Sequence, residues 1–454
     1  MGAWGCAEAP GRTLHALSGN EFTLFPFERK APPPVSCSGE TDQRFTCFVQ
    51  ELEQRRGSLD VAGSFALATP DGKIRSFTRT DELNGKRAIT EDTRFPAASV
   101  TKMFVAAAAV SLSLEGAVDL QQPISRYLPE LTSEGVGRAS LHQLLTHTSG
   151  LLEAPLCAGA RDDLSLVLTK YGNARLWSPP GAVYRYSNLG YSFVGLVIER
   201  VTGRPFEQVV RERVLVPAGI PGASFGFEQL AVRAHAPEGV KVETRCRALW
   251  PAGGLVLSVR ELATWALGLA RPDTSPLGRP LVDLLTGRYV ETGSTPGGTY
   301  GYGVGRFEHG GLPIFEHSGG LEGFSSLVAW SPDRQLAVAV FADSADVVQA
   351  VGFRALSTFL SLPADWQPPP GPEHPLSAYV GDYVDPAGTL GHLRVSLERE
   401  HLVIDYLDGR PALLSPGFRF VFEPGAAQAR YVVSPIGVGE RASASGAQAL
   451  NQPK

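Results

Sequence analysis

Apolar positions along the chain recur at two spacings, one typical of helices and one typical of strands. Met103–Val110 is an almost continuous, alanine-rich apolar run, which predicts a buried helix. Leu189–Val201 repeats apolar residues at helical spacing and is followed by Thr-Gly-Arg-Pro, which predicts a helix and its end. Ser140–Thr146 and Val347–Leu360 are also predicted to be helices.

Strand-like runs lie on either side of these helices. Short apolar runs predict five strands, at residues 64–67, 74–77, 312–315, 325–330 and 336–341. Tyr300–Phe307 alternates small and large residues like a strand, and His309-Gly310-Gly311 after it predicts a hairpin turn. We therefore expect an α/β (α+β) fold: an antiparallel sheet with helices on its faces and a mainly helical subdomain from about 120 to 250, with the active site between them.

Proline-rich and turn-rich segments divide the rest of the chain. Residues 1–40 carry no periodic pattern and are predicted to be a flexible lead before the main domain, 41–365. A proline-rich linker, 366–375, precedes a small antiparallel β domain over 376–437, in the form of a partial barrel. Its strand-like runs are 379–380, 392–397, 401–406, 418–422 and 430–433. Residues 438–454 are small and polar, and are predicted to be a disordered tail.

The composition excludes several classes of function. The chain has 454 residues, of which 43% are apolar, so it can build a sizeable core. Its formal charge of −5 gives no electrostatic case for binding nucleic acid. No run of about 18 apolar residues occurs, so no transmembrane segment is predicted. No zinc-type spacing and no glycine-rich nucleotide loop occurs, so we expect no metal and no cofactor.

Ser99-Val100-Thr101-Lys102 is the most informative segment chemically. Residues i and i+3 share one face of a helix, so the Lys102 amine can reach the Ser99 hydroxyl. Ser99 would lie at the start of the helix, after Pro96, where backbone N–H groups and the helix dipole favour developing negative charge. Alone, Ser-x-x-Lys is more often a helix with one exposed lysine, so the pattern needs support from elsewhere.

Two later segments supply that support. Tyr186 and Asn188 follow a Pro-Pro-Gly turn and come just before the predicted helix Leu189–Val201. His317-Ser318-Gly319 lies on a predicted strand. We expect the serine–lysine helix start, the Tyr-x-Asn and the His-x-Gly to be three parts of one site.

Five segments, in this order, resemble the serine hydrolases related to class C β-lactamases, D-alanyl-D-alanine carboxypeptidases, D-aminopeptidases and β-lactamase-like esterases. The segments are FPAASVTKMFVAAAAVSLSLEGAVDL (95–120), LHQLLTHTSGL (141–151), PPGAVYRYSNLGYSFVGLVIERVTG (179–203), PAGGLVLSVREL (251–262) and YGYGVGRFEHGGLPIFEHSGGLEGFSS (300–326). The resemblance implies a β-lactamase/transpeptidase-like sheet flanked by helices, with a helical subdomain. The C-terminal β domain resembles modules appended to some members of the family.

The resemblance also implies catalytic roles. Ser99 would be the acyl-accepting nucleophile, Lys102 its partner and Tyr186 the general base or acid, while Asn188 would line the site. A serine hydroxyl is a poor nucleophile until a neighbour takes its proton, and a tyrosine is a poor base at pH 7 unless cations lower its pKa. Lysine is itself a candidate base, so which of Lys102 and Tyr186 takes the proton stays open.

By the same resemblance, His317-Ser318-Gly319 would replace the Lys-Thr-Gly strand of true β-lactamases. The N–H groups of Ser99 and Gly320 would stabilise the oxyanion. Protonated His317 would add a positive field, but histidine with a pKa near ~6.5 is mostly neutral at pH 7 and anchors a carboxylate less well than lysine. We therefore expect little penicillin turnover, and an activity shoulder at lower pH if His317 must be charged.

The function expected is that of a serine hydrolase without cofactor or metal, which cleaves small esters or D-amino-acid peptides and amides through an acyl-Ser99 intermediate. Its partners would be a small-molecule or peptide substrate and no nucleic acid; the oligomeric state stays open. Two alternatives are kept, a non-catalytic penicillin-binding or sensor protein and a genuine β-lactamase.

Three further residues are given structural interpretations. Ser224 lies in a Gly-x-Ser-x-Gly sequence, but that motif requires a strand-to-helix elbow, and the sequence predicts a helix ending in a Gly/Pro turn before it. His147 is predicted to form a helix-to-loop corner, as the resemblance implies. His309 is expected at a solvated hairpin tip.

The five cysteines give information about the cellular location of the protein. Ala3-Trp4-Gly5-Cys6 is similar to the end of a lipoprotein signal, so Cys6 is either a lipid-anchor site or a stray cysteine in a disordered tail. Four cysteines remain, and the simplest pairing is Cys37 with Cys47 and Cys157 with Cys246, among three connectivities. A periplasmic or membrane-anchored protein is expected, with the cytoplasm kept as the alternative.

Overall fold

A computed structural model gives the fold. It describes residues 12–18, 21–23, 37–54, 63–80, 88–131, 135–151, 163–174, 176–227, 230, 246–292, 298–321, 323–342, 347–362, 372–385, 391–398, 401–407, 417–423, 425–434 and 437–442.

The strands, in chain order, are β1 (Arg12–Ser18), β2 (Glu21–Thr23), β3 (Gly63–Ala68), β4 (Ile74–Arg79), β5 (Arg94–Pro96), β6 (Ser224–Phe225), β7 (Leu255–Ser258), β8 (Val290–Glu291), β9 (Thr299–Tyr300), β10 (Gly305–His309), β11 (Leu312–Leu321), β12 (Phe324–Ser331), β13 (Leu336–Ala342), β14 (Gly381–Val384), β15 (His392–Glu398), β16 (His401–Tyr406), β17 (Gly417–Val421), β18 (Tyr431–Ser434) and β19 (Gly437–Arg441).

The α-helices are α1 (Thr41–Gln54), α2 (Thr101–Leu114), α3 (Leu141–Leu145), α4 (Leu166–Tyr171), α5 (Asn188–Thr202), α6 (Phe206–Val210), α7 (Trp250–Gly253), α8 (Val259–Ala270), α9 (Arg279–Leu285) and α10 (Val347–Leu360). A π-helical turn, Arg211–Leu215, continues α6. Short 3₁₀ turns are Ala98–Val100, Ile124–Arg126, Gly135–Arg138, Arg247–Leu249, Pro272–Thr274, Pro332–Arg334 and Leu376–Ala378.

The main sheet is antiparallel, in the order β4-β3-β13-β12-β11-β10-β9-β8. It contains all five predicted strands, most of them extended by one or a few residues beyond the predicted bounds. The single strand predicted over Tyr300–Phe307 is wrong, because the chain turns between β9 and β10 and Tyr300 pairs back with Gly305. Gly303 makes this turn at φ +74, a conformation that favours glycine.

Helices cover both faces of the main sheet. On one face the larger core includes α2 and α8, where Phe104 and Trp265 have ring centroids 4.2 Å apart. On the other face α1 and α10 pack together, with Phe48 and Phe359 5.7 Å apart. Every residue of α2 from Thr101 to Val110 is buried, and small alanine side chains let neighbouring elements approach this helix closely.

The C-terminal β domain is a closed barrel rather than the partial barrel expected. Its strand order is β1-β16-β15-β14-β19-β18-β17-β2, and β1 pairs with β2 to close it. The prediction of a flexible lead is therefore wrong for Arg12–Ser18 and Glu21–Thr23. The predicted tail from 438 likewise begins inside β19, which pairs with β18 and β14. Unpaired strand edges in a partial barrel would expose N–H and C=O groups, and these added strands satisfy them.

The barrel packs against the main domain beside the segment that leads to Tyr186. Arg185 Nη1 donates a hydrogen bond to the carbonyl of Ser434 in β18. Val183 packs in a small apolar cluster with three barrel residues, Tyr431, Val433 and Val438. The barrel is therefore next to the candidate site.

The cysteine predictions can be followed in part. Cys37 and Cys47 form a disulfide, as predicted, and Cys246 is also disulfide-bonded. Its predicted partner, Cys157, and the candidate anchor Cys6 lie outside the described residues.

Two surface expectations have different outcomes. His309 is wrongly predicted to be solvated, because it is only 5% exposed. The hairpin turn after it is present, with both Gly310 and Gly311 at positive φ. Among the described helices, none has the length and apolar character needed to cross a membrane.

Candidate active site

The turn that carries Ser99 is held by two neighbouring strands, β7 and β12. The Ala97 N–H donates to the carbonyl of Leu255 in β7 at 2.8 Å, and Ser326 Oγ in β12 donates to the Ala97 carbonyl at 2.6 Å. Ala98 has φ +46, an unfavourable value for a residue with a side chain, so the surrounding contacts hold a strained turn. Ser99 is half-buried while the residues on either side are buried, so its hydroxyl is the part of the turn that a substrate can reach.

Lys102 is fully buried one turn into the helix, with 0% exposure. Its Nζ donates to Ser99 Oγ at 3.1 Å, to Asn188 Oδ1 at 2.7 Å and to the Ala252 carbonyl at 2.8 Å. The oxygens of Asn188 and Ala252 can only accept hydrogen bonds, so they fix the direction of two N–H groups of Lys102. The third N–H group points to Ser99. The two fixed hydrogen bonds therefore hold the amine of Lys102 next to the hydroxyl of Ser99.

Tyr186 and Asn188 reach Lys102 from the start of α5. Ser187 is the N-cap residue of this helix, and its side chain accepts from the Gly190 N–H. Lys102 Nζ lies 4.7 Å from the centroid of the Tyr186 ring, a distance at which a cation is attracted to the ring face. The structure thus brings Ser99, Lys102, Tyr186 and Asn188 together.

His147 forms the predicted helix-to-loop corner, with φ +58, and also supports Tyr186. Its Nδ1 accepts from the Ser187 N–H at 3.1 Å, and its carbonyl accepts from the Arg185 N–H at 2.7 Å. Its ring centroid is 4.2 Å from that of Tyr186. Because these contacts flank Tyr186 on both sides in sequence, His147 fixes the position of the phenol. The sequence pattern predicts the corner but not this second contact.

His317 is only 5% exposed, and both ring nitrogens have partners. Nδ1 lies 2.6 Å from the Ser318 carbonyl, which can only accept, so Nδ1 carries the proton. Nε2 then accepts from the Tyr300 hydroxyl at 2.9 Å, because burial raises the pKa of Tyr300 well above its usual value and keeps it protonated.

The electrostatics of His317 differ from the sequence expectation. Burial, with the positive field of Lys102, lowers the pKa of His317 to about 3. His317 is therefore neutral near pH 7, and a positive field from protonated His317, with its low-pH activity shoulder, is not expected. Since its ring contacts Tyr300 and its own strand, it acts on the site by positioning Tyr300.

The rest of the His-Ser-Gly-Gly segment forms an open strand edge beside Ser99. β10 pairs with β11 only as far as Glu316, so from His317 onward this edge of β11 has no strand beside it among the described residues. A side chain at Gly319 would place its Cβ 2.9 Å from the Ser99 nitrogen, so only glycine permits this approach. Ser318 is half-buried and Gly320 is exposed, so both can meet a substrate laid along the edge.

A cleft with an empty volume of about 690 Å³ lies beside these groups. Six of its lining residues are Tyr184, Tyr186, Tyr300, Glu316, His317 and Ser318. Sequence reasoning does not single out Tyr184, Tyr300 or Glu316. The available signal is an acidic residue that directly follows the apolar residues of the predicted strand and directly precedes the His-Ser-Gly.

A barrel residue supports the wall of this cleft. Arg419, in β17, is 9% exposed and donates to the carbonyls of Tyr184 and of Thr292, the latter at 2.9 Å. Its guanidinium also lies 5.4 Å from the Tyr184 ring centroid. Both contacted residues line the cleft, so the barrel contributes to its shape.

The Gly-x-Ser-x-Gly sequence lies in a different setting. Ser224 is exposed and belongs to a two-residue strand, β6, that pairs with β7. No strand-to-helix elbow is formed there, as expected. Within the described part of the chain, no group of three or more histidine, cysteine, aspartate or glutamate side chains is placed to hold a metal ion.

Comparison with known proteins gives a consistent family. The model of the family described as Beta-lactamase matches residues 48–360. Esterase EstB of Burkholderia gladioli is 33% identical over an alignment of 235 residues, and the match covers 45% of this chain and 58% of that protein. The chain spans between 58% and 62% of the length of three curated relatives that it matches.

Solved structures share the fold. The crystal structure of SurE with D-Leu has a TM-score of 0.65 and 23% identity, and covers 87% of this chain and 99% of that one. D-amino acid amidase from Ochrobactrum anthropi SV3, complexed with L-phenylalanine amide, has a TM-score of 0.59 and 22% identity, and covers 70% of this chain and 98% of that one. At these identities the likeness concerns the fold alone.

Proposed function

The chain belongs to the beta-lactamase family, and from that premise we propose that it is a serine hydrolase that cleaves an ester or amide through an acyl intermediate on Ser99. One observation carries the proposal: the fully buried amine of Lys102 is 3.1 Å from the hydroxyl of Ser99 and 4.7 Å from the ring centroid of Tyr186, which lines the neighbouring cleft. A buried cationic side chain aimed at a reachable hydroxyl is an arrangement that activates a nucleophile.

In the acylation step, Ser99 Oγ attacks the carbonyl carbon while its proton passes to the Lys102–Tyr186 pair, one member of which enters the step deprotonated, as a neutral amine or as a phenolate. The carbonyl oxygen becomes an oxyanion, which the N–H groups of Ser99 and Gly320 stabilise. The pair then returns a proton to the leaving oxygen or nitrogen, and we assign that transfer to Tyr186, whose phenol lines the cleft. Water reverses the sequence and releases the acid.

The substrate class follows from the strand motif. A neutral His317 cannot act as the permanent cation that holds the carboxylate of a penicillin, so small esters and D-amino-acid amides or peptides are favoured over β-lactams. The proteins that this chain resembles include an esterase and a D-amino acid amidase, which supports both kinds of substrate, esters and D-amino-acid amides. A genuine β-lactamase is the second candidate, because the family model is that of the β-lactamases.

The reaction class is tested by comparing p-nitrophenyl acetate, a D-alanyl peptide and nitrocefin side by side. We expect measurable ester hydrolysis and little nitrocefin turnover, with both lost in Ser99→Ala. Ser224→Ala is the matched control and should stay within a few-fold of wild type, because Ser224 is exposed outside the cleft. Nitrocefin turnover equal to that of a dedicated lactamase would favour the second candidate. A fluorophosphonate label on Ser99 without any turnover would favour a sensor.

The location is proposed from the cysteines. Cys37–Cys47 is a disulfide and Cys246 is disulfide-bonded, and such bonds persist mainly outside the reducing cytoplasm. We propose a periplasmic or membrane-anchored protein. Fractionation of the native host tests this, and a protein found only with reduced thiols in the cytoplasm would contradict it.

A further inference from the structure

Glu316 carries a half-buried carboxyl group that the proposed reaction does not use. It directly precedes His317 on β11 and lines the same cleft as Tyr184, Tyr186 and Tyr300. Gly305 lies opposite it on β10, and a Cβ at that position would be 2.7 Å from Glu316 Oε1. The missing side chain therefore makes room for the carboxyl group at the wall of the cleft.

The carboxyl group of Glu316 has no counter-ion in the part of the chain that the structure describes. No described side chain forms a hydrogen bond or an ion pair with it, although its backbone pairs with Gly305 and Ala329 in the sheet. Arg306, on the next position of β10, also lines the cleft, but its guanidinium pairs with Glu308 and lies 5.9 Å from the ring centroid of Phe315. His317 and Tyr300, which face the same cleft, are both neutral near pH 7. An ionised Glu316 thus lacks a counter-charge on these neighbours.

The surroundings of Glu316 change the pKa of its carboxyl group. Burial raises the pKa of Glu316 to about 7, so the carboxyl is partly ionised near neutral pH. A cation bound beside it would restore full ionisation, because an opposite charge nearby favours the charged form. The aromatic rings of Tyr184 and Tyr300, which line the same cleft, would add attraction for an ammonium group.

The position along β11 indicates which part of a substrate lies there. From Gly320, at the proposed oxyanion site, to Glu316 is four residues, or about 13 Å of strand. That path passes His317, whose ring centroid is 6.5 Å from that of Tyr186, the group assigned to protonate the leaving atom. The cleft beyond Tyr186 therefore receives the leaving group and not the acyl group.

We propose that Glu316 binds a positively charged substituent, such as a quaternary or primary ammonium group, on the alcohol or amine that leaves Ser99. This inference rests on the proposed hydrolase function and narrows its substrate class to esters or amides with a cationic leaving group.

The test uses two esters of the same shape, acetylcholine and 3,3-dimethylbutyl acetate, which differ by a charged nitrogen in place of a carbon. The measured quantity is the ratio of their kcat/KM values, obtained by titrating the acid released. We expect Glu316→Gln to lower the ratio by about tenfold or more, the effect of one partly desolvated charge pair. Asp333→Asn, which changes an exposed carboxyl in the turn between β12 and β13, away from the residues that line the cleft, is the control and should leave the ratio unaltered.

The pH dependence gives a second readout on the wild-type protein alone. Because acetylcholine keeps its charge at every pH, the ratio should rise through pH about 7 as Glu316 ionises, and this rise should be absent in Glu316→Gln. If the variant does not fold, the wild-type profile still decides. A ratio that is independent of pH in wild type, or equal in wild type and Glu316→Gln, overturns the subsite.

Failure of the subsite and failure of the hydrolase function give different results. Hydrolysis of both esters that depends on Ser99, with no preference tied to Glu316, removes the subsite and leaves the hydrolase. If neither ester turns over, protection of Ser99 from a fluorophosphonate is measured with choline and with 3,3-dimethylbutan-1-ol. Stronger protection by choline supports the subsite, and equal protection overturns it. Absence of any Ser99 labelling removes the hydrolase function and the subsite with it.

Discussion

At the residue scale, the site depends on how a fully buried lysine is held. Lys102 has the Asn188 and Ala252 oxygens on one side and Ser99 on the other, all within hydrogen-bond distance of one nitrogen. This tetrahedral arrangement suits the compact ammonium of lysine and does not suit the planar fork of arginine. The charge alone is therefore insufficient, and the geometry around Nζ matters.

Replacement of Lys102 tests that requirement. We expect Lys102→Met and Lys102→Arg each to lower kcat/KM for p-nitrophenyl acetate by about a thousandfold or more, since residues that act as one catalytic unit cannot be exchanged singly. Lys170→Met is the control, because Lys170 is exposed at the end of α4. An arginine variant that keeps a tenth or more of the activity would show that a positive charge suffices.

The low pKa of His317 leads to a prediction about the stability of the fold and not about the rate of catalysis. Folded His317 stays neutral to a pH of about 3, whereas in the unfolded chain its pKa is near ~6.5. The unfolded state binds more protons in that window, so this residue's contribution to the unfolding free energy falls as the pH drops below about 6.5, by up to about 1.4 kcal/mol per pH unit.

Urea unfolding at pH 7 and pH 5 measures this effect. His317→Gln keeps groups that can hydrogen-bond to Ser318 and Tyr300 but cannot take up a proton. We expect wild type to lose more unfolding free energy than the variant between the two pH values, by about 2 kcal/mol. Equal losses in the two proteins would mean that His317 has the same pKa in the folded protein as in the unfolded chain.

At the element scale, the close approach of β11 to the Ser99 turn sets the geometry of the oxyanion site. In Gly319→Ala the new Cβ would lie 2.9 Å from the Ser99 nitrogen and closer still to the Ala97 carbonyl, so one element must move. We expect kcat for p-nitrophenyl acetate to fall about a hundredfold or more, as when one oxyanion donor is lost.

The matched control for this variant is Gly268→Ala in α8. The nearest atom to its new Cβ is 3.8 Å away, which is ordinary contact. That variant should keep its activity. A Gly319→Ala enzyme with normal kcat would show that β11 can withdraw without disturbing the oxyanion donors.

Elements with strong local patterns could be predicted from the sequence. The helix predicted over Val347–Leu360 has those bounds in α10, and the helix ending at Thr202 is followed by Gly203 at φ +67, a residue suited to a helix end. The β9–β10 region could not be predicted in this way. Gly301–Val304 forms a turn there, and the direction of the turn depends on the contact between Gly303 and α2. Alternation of small and large residues does not reveal such a contact.

The residues of the candidate site likewise fall into those that the sequence predicts and those that it does not. Ser99, Lys102, Tyr186 and Asn188 are recognisable because the motif spacing and the helix starts fix them locally. Tyr300 and Glu316 reach the cleft only through strand pairing, and their roles depend on burial that the sequence does not report. The predicted family and fold class are confirmed, whereas the roles of the site residues stay predictions.

At the scale of the whole molecule, the barrel is built from both ends of the chain. β1 pairs with β16 across almost the full length of the sequence, and β2 pairs with β17. Such distant pairings leave no local pattern, which is why short strands before residue 40 escape prediction. Their consequence is functional, because the closed barrel holds Arg419 against the wall of the cleft.

Arg419→Met tests the link between barrel and site. Loss of its hydrogen bonds to the carbonyls of Tyr184 and Thr292 should loosen the cleft wall and raise KM several-fold for the preferred ester, with a smaller change in kcat. Arg430→Met is the control, because Arg430 pairs only with exposed barrel carboxylates of Glu423 and Glu440 in its salt bridges. Equal KM values for the two variants would mean that the barrel does not shape the cleft.

The central claim is that the reaction passes through an acyl group on Ser99. The most direct measurement is rapid acid quenching of the wild-type protein during turnover of p-nitrophenyl acetate, followed by peptide mapping by mass spectrometry. We expect the peptide containing Ser99 to carry one acetyl group that appears before steady state and disappears when substrate is exhausted. Turnover with an unmodified Ser99, or with the acetyl group on Ser224, would contradict the account.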